Sequence, residues 1–268
     1  MIEPYYADDA VTLYHGECQP LLPLLGRVAH VITDPPFGAS AHKNAKSNRG
    51  IPAQRGVYSC VAESAIDFAP ITYDTVVELL QVLGLMTDRW FIATLDHRHC
   101  AALEDESPAP WEFVRYGVWV KTNPMPQMSA DRPAKGWDAI AYLHHTERPK
   151  RWNGGGDHGN WIGPVVTNGD HPTGKPLGLL MRLIAKHTDP GDLILDPFGG
   201  SGTTAVAAKL LGRRAILIER DERYCAVAAR RLRQSVLNLY PAALTQDDLF
   251  GALADGASDA TIPTDDHA

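Results

Sequence analysis

Two apolar runs in this chain end in the same way. Val28 to Thr33 stops at Asp34-Pro35-Pro36-Phe37, and Leu193-Ile194-Leu195 stops at Asp196-Pro197-Phe198-Gly199-Gly200-Ser201-Gly202. Each run has the length and apolar character of a buried strand, and proline, lacking an N–H, cannot carry a ladder further. The same punctuation recurs along the chain. Val11 to Tyr14, Trp90 to Leu95, Phe113 to Val120, Ala139 to Leu143 and Ala215 to Ile218 read as strands, the third and fourth of these as antiparallel neighbours. Apolar residues at helical spacing run from about Tyr73 to Met86, Leu177 to His187, Thr203 to Leu211 and Glu222 to Leu237. Strands alternating with helices predict an α/β fold with a doubly wound, mostly parallel sheet.

A chain of 268 residues, 44% of them apolar, can bury one large core, and a single domain over residues 1–245 is expected. Two stretches inside it, 38–69 and 122–172, the latter with one strand, read as long irregular loops, which in a compact domain are usually functional. The cysteines, Cys18, Cys60, Cys100 and Cys225, form no C-x-x-C pair, so packed, reduced thiols are expected rather than a disulfide frame or zinc site. The histidines lack metal-ligand company, so no metal is expected. The opening MIEPYYADDA has neither a basic nor an apolar leader region, and no stretch is apolar enough to span a bilayer. These features predict a cytoplasmic protein without a membrane partner.

Net charge is −7, the wrong sign for a nucleic-acid binder, but the charge is segregated. Beyond Gln246 lie Asp247, Asp248, Asp255, Asp259, Asp265 and Asp266 with no Lys or Arg, and removing those six charges leaves −1. Residues 246–268 therefore read as an acidic, disordered tail. Lys43, Lys46, Arg49 and Arg55 occur with no acid between Gly38 and Val57, a bias that fits phosphate contact as well as a solvated loop.

Glycines after a strand and before a helix let backbone N–H groups approach a ligand, and the helix end adds partial positive charge. Gly200-Ser201-Gly202-Thr203-Thr204-Ala205 fits the dinucleotide fingerprint, with Glu219 placed to take ribose hydroxyls. By that pattern alone an NAD-dependent oxidoreductase stands level with an S-adenosylmethionine enzyme. Two segments separate them: the Asp196-Pro197-Phe198 lead-in, which looks like that of S-adenosylmethionine methyltransferases, and Asp34-Pro35-Pro36-Phe37, for which a dehydrogenase has no need. An exocyclic base amine is a poor nucleophile because its lone pair is delocalised into the ring. A carboxylate and a backbone carbonyl, each accepting one amine hydrogen, let the nitrogen pyramidalise where positive charge develops. The prolines fix that carbonyl, and Phe37 offers a flat face to a base taken out of the stack. Alone, the tripeptide Asp-Pro-Pro would merely end a strand.

With both segments in one chain, the sequence resembles the amino-group DNA methyltransferases, of the N6-adenine and N4-cytosine family, in their permuted β arrangement. The resemblance covers about Val11 to Arg231. It includes Leu13-Tyr14-His15-Gly16-Glu17-Cys18, with Glu17 in place of the usual Asp, and Asp34 to Gly38, with Phe37 where Tyr is commoner. It continues through Trp119 to Pro124, His171-Pro172-Thr173-Gly174-Lys175-Pro176, Pro190-Gly191-Asp192, Asp196 to Thr204, Gly212-Arg213, Glu219 and Tyr224. The amine motif precedes the cofactor loop, which defines that arrangement, and places target recognition between them, in 122–172.

The resemblance implies a Rossmann-like methyltransferase fold, S-adenosylmethionine as cofactor, double-stranded DNA as partner, and direct transfer to a flipped base. Asp34, Pro35, Pro36 and Phe37 would hold the amine. Asp196, Phe198, Gly199, Gly200, Ser201 and Gly202 would form the loop at the methionine end, with Thr203 and Thr204 at the helix start. Glu219 would take the ribose, Glu17 the adenine, and Thr173 and Lys175 the methionine carboxylate. Lys43, Lys46, Arg49 and Arg55 are the DNA-contacting candidates. An Asp-first motif favours adenine N6 over cytosine N4. Carbon-5 methylation needs a Pro-Cys nucleophile, and the residues preceding the cysteines are Glu17, Ser59, His99 and Tyr224. A non-catalytic cofactor- or DNA-binding module, a homodimer, a cognate restriction enzyme, and a prokaryotic or phage origin stay open at this level. Trp137, Trp152, Asn153, Asn160 and Trp161 are candidates for reading or unstacking bases.

Overall fold

The computed structural model describes residues 2–36, 71–124, 126, 131–166 and 174–234. Among the described residues nine strands form one sheet: β1 (Tyr6–Ala7), β2 (Val11–His15), β3 (His30–Thr33), β4 (Trp90–Leu95), β5 (Trp111–Lys121), β6 (Trp137–His145), β7 (Asn160–Gly163), β8 (Leu193–Asp196) and β9 (Arg214–Glu219). Their spatial order is β1-β2-β9-β8-β3-β4-β6-β5-β7. Strands β2, β9, β8, β3 and β4 are mutually parallel, while β6 runs antiparallel between β4 and β5. The sequence order therefore breaks at the middle, where β8 lies between β9 and β3.

Helices cover both faces. On one, α4 (Leu177–His187), α5 (Thr203–Leu210) and α6 (Glu222–Gln234) bury Leu179, Ile184, Ala207 and Ala228 against Leu13, Ile32, Ile194 and Leu217. On the other, α1 (Cys18–Leu21), α2 (Tyr73–Gly84) and α3 (His97–Asp105) bury Cys18, Leu80, Leu83 and Leu103 against Val31, Phe91, Leu195 and Ile218. Because β3, β4, β8 and β9 are covered on both sides, their runs are apolar throughout rather than alternating. Helix starts follow local chemistry. The Thr72 hydroxyl accepts the Thr75 N–H at 3.2 Å to open α2, and the Asp96 carboxylate accepts the Arg98 N–H at 3.1 Å to open α3. No helix among the described residues is long and apolar enough to cross a membrane.

The expected strands and helices are all present, with differences at their ends. The strand expected from Val28 begins at His30, and the helix expected to Met86 ends at Gly84. The helix from Glu222 is described to Gln234. Besides the two-residue β1, three elements gave no readable period. Helix α3 buries only Cys100 and Leu103 of its nine residues, α1 is a single turn, and β7 is a four-residue edge strand inside the stretch expected to be loop. Cys18, Cys100 and Cys225 are buried free thiols; burial pushes Cys100 and Cys225 up to about 12. Cys60 lies outside the described residues.

Candidate active site

Five parallel strands end along one edge of the sheet, presenting in order Gly16-Glu17, Glu219, Asp196, Asp34 and Asp96. The break in strand order falls between Glu219 and Asp34, with Asp196 at its centre. In open α/β sheets a crevice outside the strand ends forms at such a break.

Asp34 follows β3, with Pro35 buried and Pro36 half-buried behind it. Its Oδ2 accepts from Lys175 Nζ at 2.6 Å, and its Oδ1 accepts from the Thr94 hydroxyl. The preceding residue, Thr33, donates to Asp196 Oδ1 at 2.6 Å, so one hydrogen bond ties the two motif-bearing strands together. Asp196 is fully enclosed, and its carboxyl is pushed up to about 6 by burial, opposed by hydrogen bonds from Thr204, Thr33 and the Phe198 N–H, with the nearby Asp34 charge adding to the rise.

The loop after Asp196 turns on two left-handed glycines, Gly200 (φ 50°) and Gly202 (φ 81°), a conformation open to glycine without steric cost. Gly202 caps α5 without any side-chain cap. From behind, Arg231 donates to the Ser201 carbonyl (2.7 Å), the Ser201 hydroxyl (3.0 Å) and the Thr203 hydroxyl (3.1 Å). Phe198 is half-buried, and Ser201, Thr203 and Thr204 are buried. Glu219, at the end of β9, accepts the Gly200 N–H at 2.7 Å through Oε2 and the Asp221 N–H at 2.8 Å through Oε1. Burial raises its carboxyl, and those two backbone bonds oppose the rise. Glu17 stands one strand away, since His15 is the register partner of Glu219; its side chain is exposed, 3.9 Å from Arg220.

The structure thus brings Asp34, Lys175, Asp196, the glycine loop, Glu219 and Glu17 to one edge. Phe37, Thr173, Lys43, Lys46, Arg49 and Arg55 lie outside the described residues. The aromatic candidates divide. Trp137 opens β6 two residues before Ala139, the partner of Leu95, so it stands at the same edge as Asp34 and is 38% exposed. Trp152 and Asn153 sit at the other end of α4. The Trp152 ring is 4.8 Å from His187, and the Asn153 amide donates to Thr188 O and Asp189 Oδ1. Helix α4 spans about 16 Å at its standard rise, so these two are far from Asp34. Trp161 packs on Trp119 at 5.9 Å, and Asn160 is exposed on the edge strand. Thr33, Thr94 and Arg231 had no motif to mark them. The one visible signal was a hydroxyl, Thr94, in the otherwise apolar Trp90-Phe91-Ile92-Ala93-Thr94-Leu95.

The profile of the DNA methylase family matches residues 28–230, from two residues ahead of β3 into α6. The chain belongs to the DNA methylase family. The methylase is 29% identical over 257 residues to the Type II methyltransferase M2.DpnII of Streptococcus pneumoniae, the match covering 87% of this chain and 93% of that one. It is 28% identical to M2.LlaDCHI of Lactococcus lactis subsp. cremoris at the same coverage. Among solved structures it superposes on M1.HpyAVI in its SAM complex with a TM-score of 0.63, at 23% identity over 83% of this chain and 99% of that chain. The cytosine-N4-specific PvuII DNA methyltransferase gives the same TM-score at 17% identity, over 95% and 96%. These two likenesses show the shared Rossmann-like methyltransferase fold.

Asp196 gives the methylase a pH signature. Its folded pKa, raised from 3.8 to about 6, means that between those values the native state holds a proton that the unfolded chain has lost. Stability from this group therefore falls as pH rises through that window, and the burial penalty is complete above it. Asp196→Asn keeps the volume and the oxygen facing Thr33 but carries no charge. The variant should gain on wild type as pH rises, by up to roughly 3 kcal/mol above the window. Thermal melts of both proteins at acid and neutral pH measure the difference, and a pH-independent gap would show that Asp196 is ionised without penalty.

Proposed function

We propose that this methylase transfers a methyl group from S-adenosylmethionine to the exocyclic N6 amine of adenine in double-stranded DNA. The observation that carries the reading is the Thr33–Asp196 bond, which sets the Asp34 carboxylate beside the glycine loop. The donor set fits the cofactor. Glu219 has both oxygens on backbone N–H groups and further lone pairs for ribose hydroxyls, and the uncapped start of α5 offers N–H groups to a carboxylate.

S-adenosylmethionine supplies a methyl carbon bonded to positively charged sulfur. An amine receiving that methyl would carry positive charge on its nitrogen until it passes a proton to water. Asp34 and the Pro35 carbonyl accept the two amine hydrogens and so stabilise the charge as it develops. Phe37 supports the flipped base. Lys43, Lys46, Arg49 and Arg55 contact phosphates, and Trp137 is the aromatic candidate of 122–172 that stands at the Asp34 edge. Asp at the head of the motif supports adenine; cytosine N4 is the alternative amine. The Type II relatives support a role beside a cognate restriction enzyme.

Long-read sequencing of DNA from a methylation-free host expressing the protein tests the reading, with N6-methyladenine in one sequence context expected. N4-methylcytosine alone would reassign the base. Calorimetry tests the cofactor. Glu219→Ala should weaken S-adenosylmethionine by roughly 1–3 kcal/mol, and binding of NAD in its place would overturn the function.

A further inference from the structure

Both oxygens of Asp34 are held by groups outside the Asp-Pro-Pro segment. Thr94 reaches Oδ1 because β3 and β4 are parallel with Thr33 opposite Ala93, which sets Thr94 beside Asp34. Lys175 reaches Oδ2 from just ahead of α4. The donors come from inside: Thr94 is 4% exposed and the Lys175 side chain 7%, whereas the Asp34 side chain is 29% exposed. The carboxylate is thus gripped from the protein side and open on the other. Valine would fill the place of Thr94 without a polar atom to bury, so its hydroxyl is accounted for by the bond to Asp34.

We propose that Thr94 and Lys175 are positioning residues that clamp the Asp34 carboxylate in the orientation needed by the substrate amine. An ionised carboxylate offers about four lone-pair sites. The clamp takes one on each oxygen and leaves the others facing the open side, where an amine hydrogen arrives. A carboxylate already fixed needs no reorientation as charge develops on nitrogen, which is how oriented polar groups lower a barrier.

The inference rests on Asp34 being the acceptor of the amine hydrogen. Single-turnover transfer of tritiated methyl to DNA is measured for wild type, Thr94→Val, Thr94→Ser, Thr94→Ala and Asp34→Ala, with calorimetric S-adenosylmethionine affinity and melting temperature for each. Thr94→Val should slow transfer roughly tenfold or more, the scale of a lost hydrogen bond to a charged group, with cofactor affinity and the KM for DNA nearly unchanged. Thr94→Ser should restore the rate. Should valine unfold the protein, serine against alanine, which differ by the hydroxyl alone, carries the same comparison. A wild-type rate in Thr94→Val, or equal rates for serine and alanine, would make Thr94 a packing residue and overturn the clamp. A near-normal rate in Asp34→Ala would instead remove the reading of Asp34 itself.

Discussion

Asp34→Ala is expected to lower methyl transfer at least ~100-fold while leaving S-adenosylmethionine affinity close to wild type, the scale seen when one oriented polar partner of a transition state is removed. The split follows from where Asp34 stands. It sits beyond β3, outside the glycine loop, and makes its contacts with Thr94 and Lys175. Glu219, Gly200 and the start of α5 are organised without it, through bonds to Asp221 and Arg231. Its removal therefore deletes an acceptor for the amine and spares the cofactor end. Single-turnover kinetics with parallel calorimetry read both halves. A rate near wild type would take Asp34 out of the chemistry, and a matching collapse of cofactor affinity would make it a structural residue.

Gly202→Ala should produce the other large effect, on stability. A Cβ there would lie 2.9 Å from the Ala228 Cβ and 3.2 Å from its Cα, in a backbone at φ +81°. The left-handed conformation costs about 1–2 kcal/mol for an L side chain, and forcing a methyl into packed α6 adds roughly 1–3 kcal/mol. Together these predict a fall in melting temperature of about 5–15 °C for a protein of this size. Gly212→Ala separates the two costs, because Gly212 has φ +71° and nothing within 4 Å of its would-be Cβ. It should show the conformational cost alone. Equal losses in the two variants would mean that contact with Ala228 contributes nothing, and that the loop moves off α6 to make room.

Much of the site was readable because its chemistry is concentrated in contiguous residues. Asp34-Pro35-Pro36 and Asp196 to Thr204 each carry strand end, turn and functional group within a few positions. Their juxtaposition was not readable from either alone, since it depends on β3 and β8 being neighbours. Thr94 was invisible for a related reason: its role exists only through the β3–β4 register, and in its own strand it is one hydroxyl among apolar residues. Trp152 illustrates the opposite limit. Its composition suits base stacking, yet the chain carries it to the far end of α4, and no local pattern encodes that distance. Helix α3 and strand β7 escaped detection because each buries too few side chains to impose a period.

The strand order also dictates how the chain must assemble. Strands β2 and β3 follow one another early in the sequence but never touch; β8 and β9, among the last to be made, slot between them. Until α5 and its two flanking strands arrive, β3 presents one unpaired edge and β2 another. Both carry apolar side chains, and open edges of this kind invite pairing with other chains. Closing the sheet requires contacts between distant parts of the sequence, the kind that slow folding most. Strands β8 and β9 carry Asp196 and Glu219, so the crevice at the break in strand order exists only where these two strands are paired between β2 and β3, and a chain lacking that pairing has no such crevice to hold the cofactor.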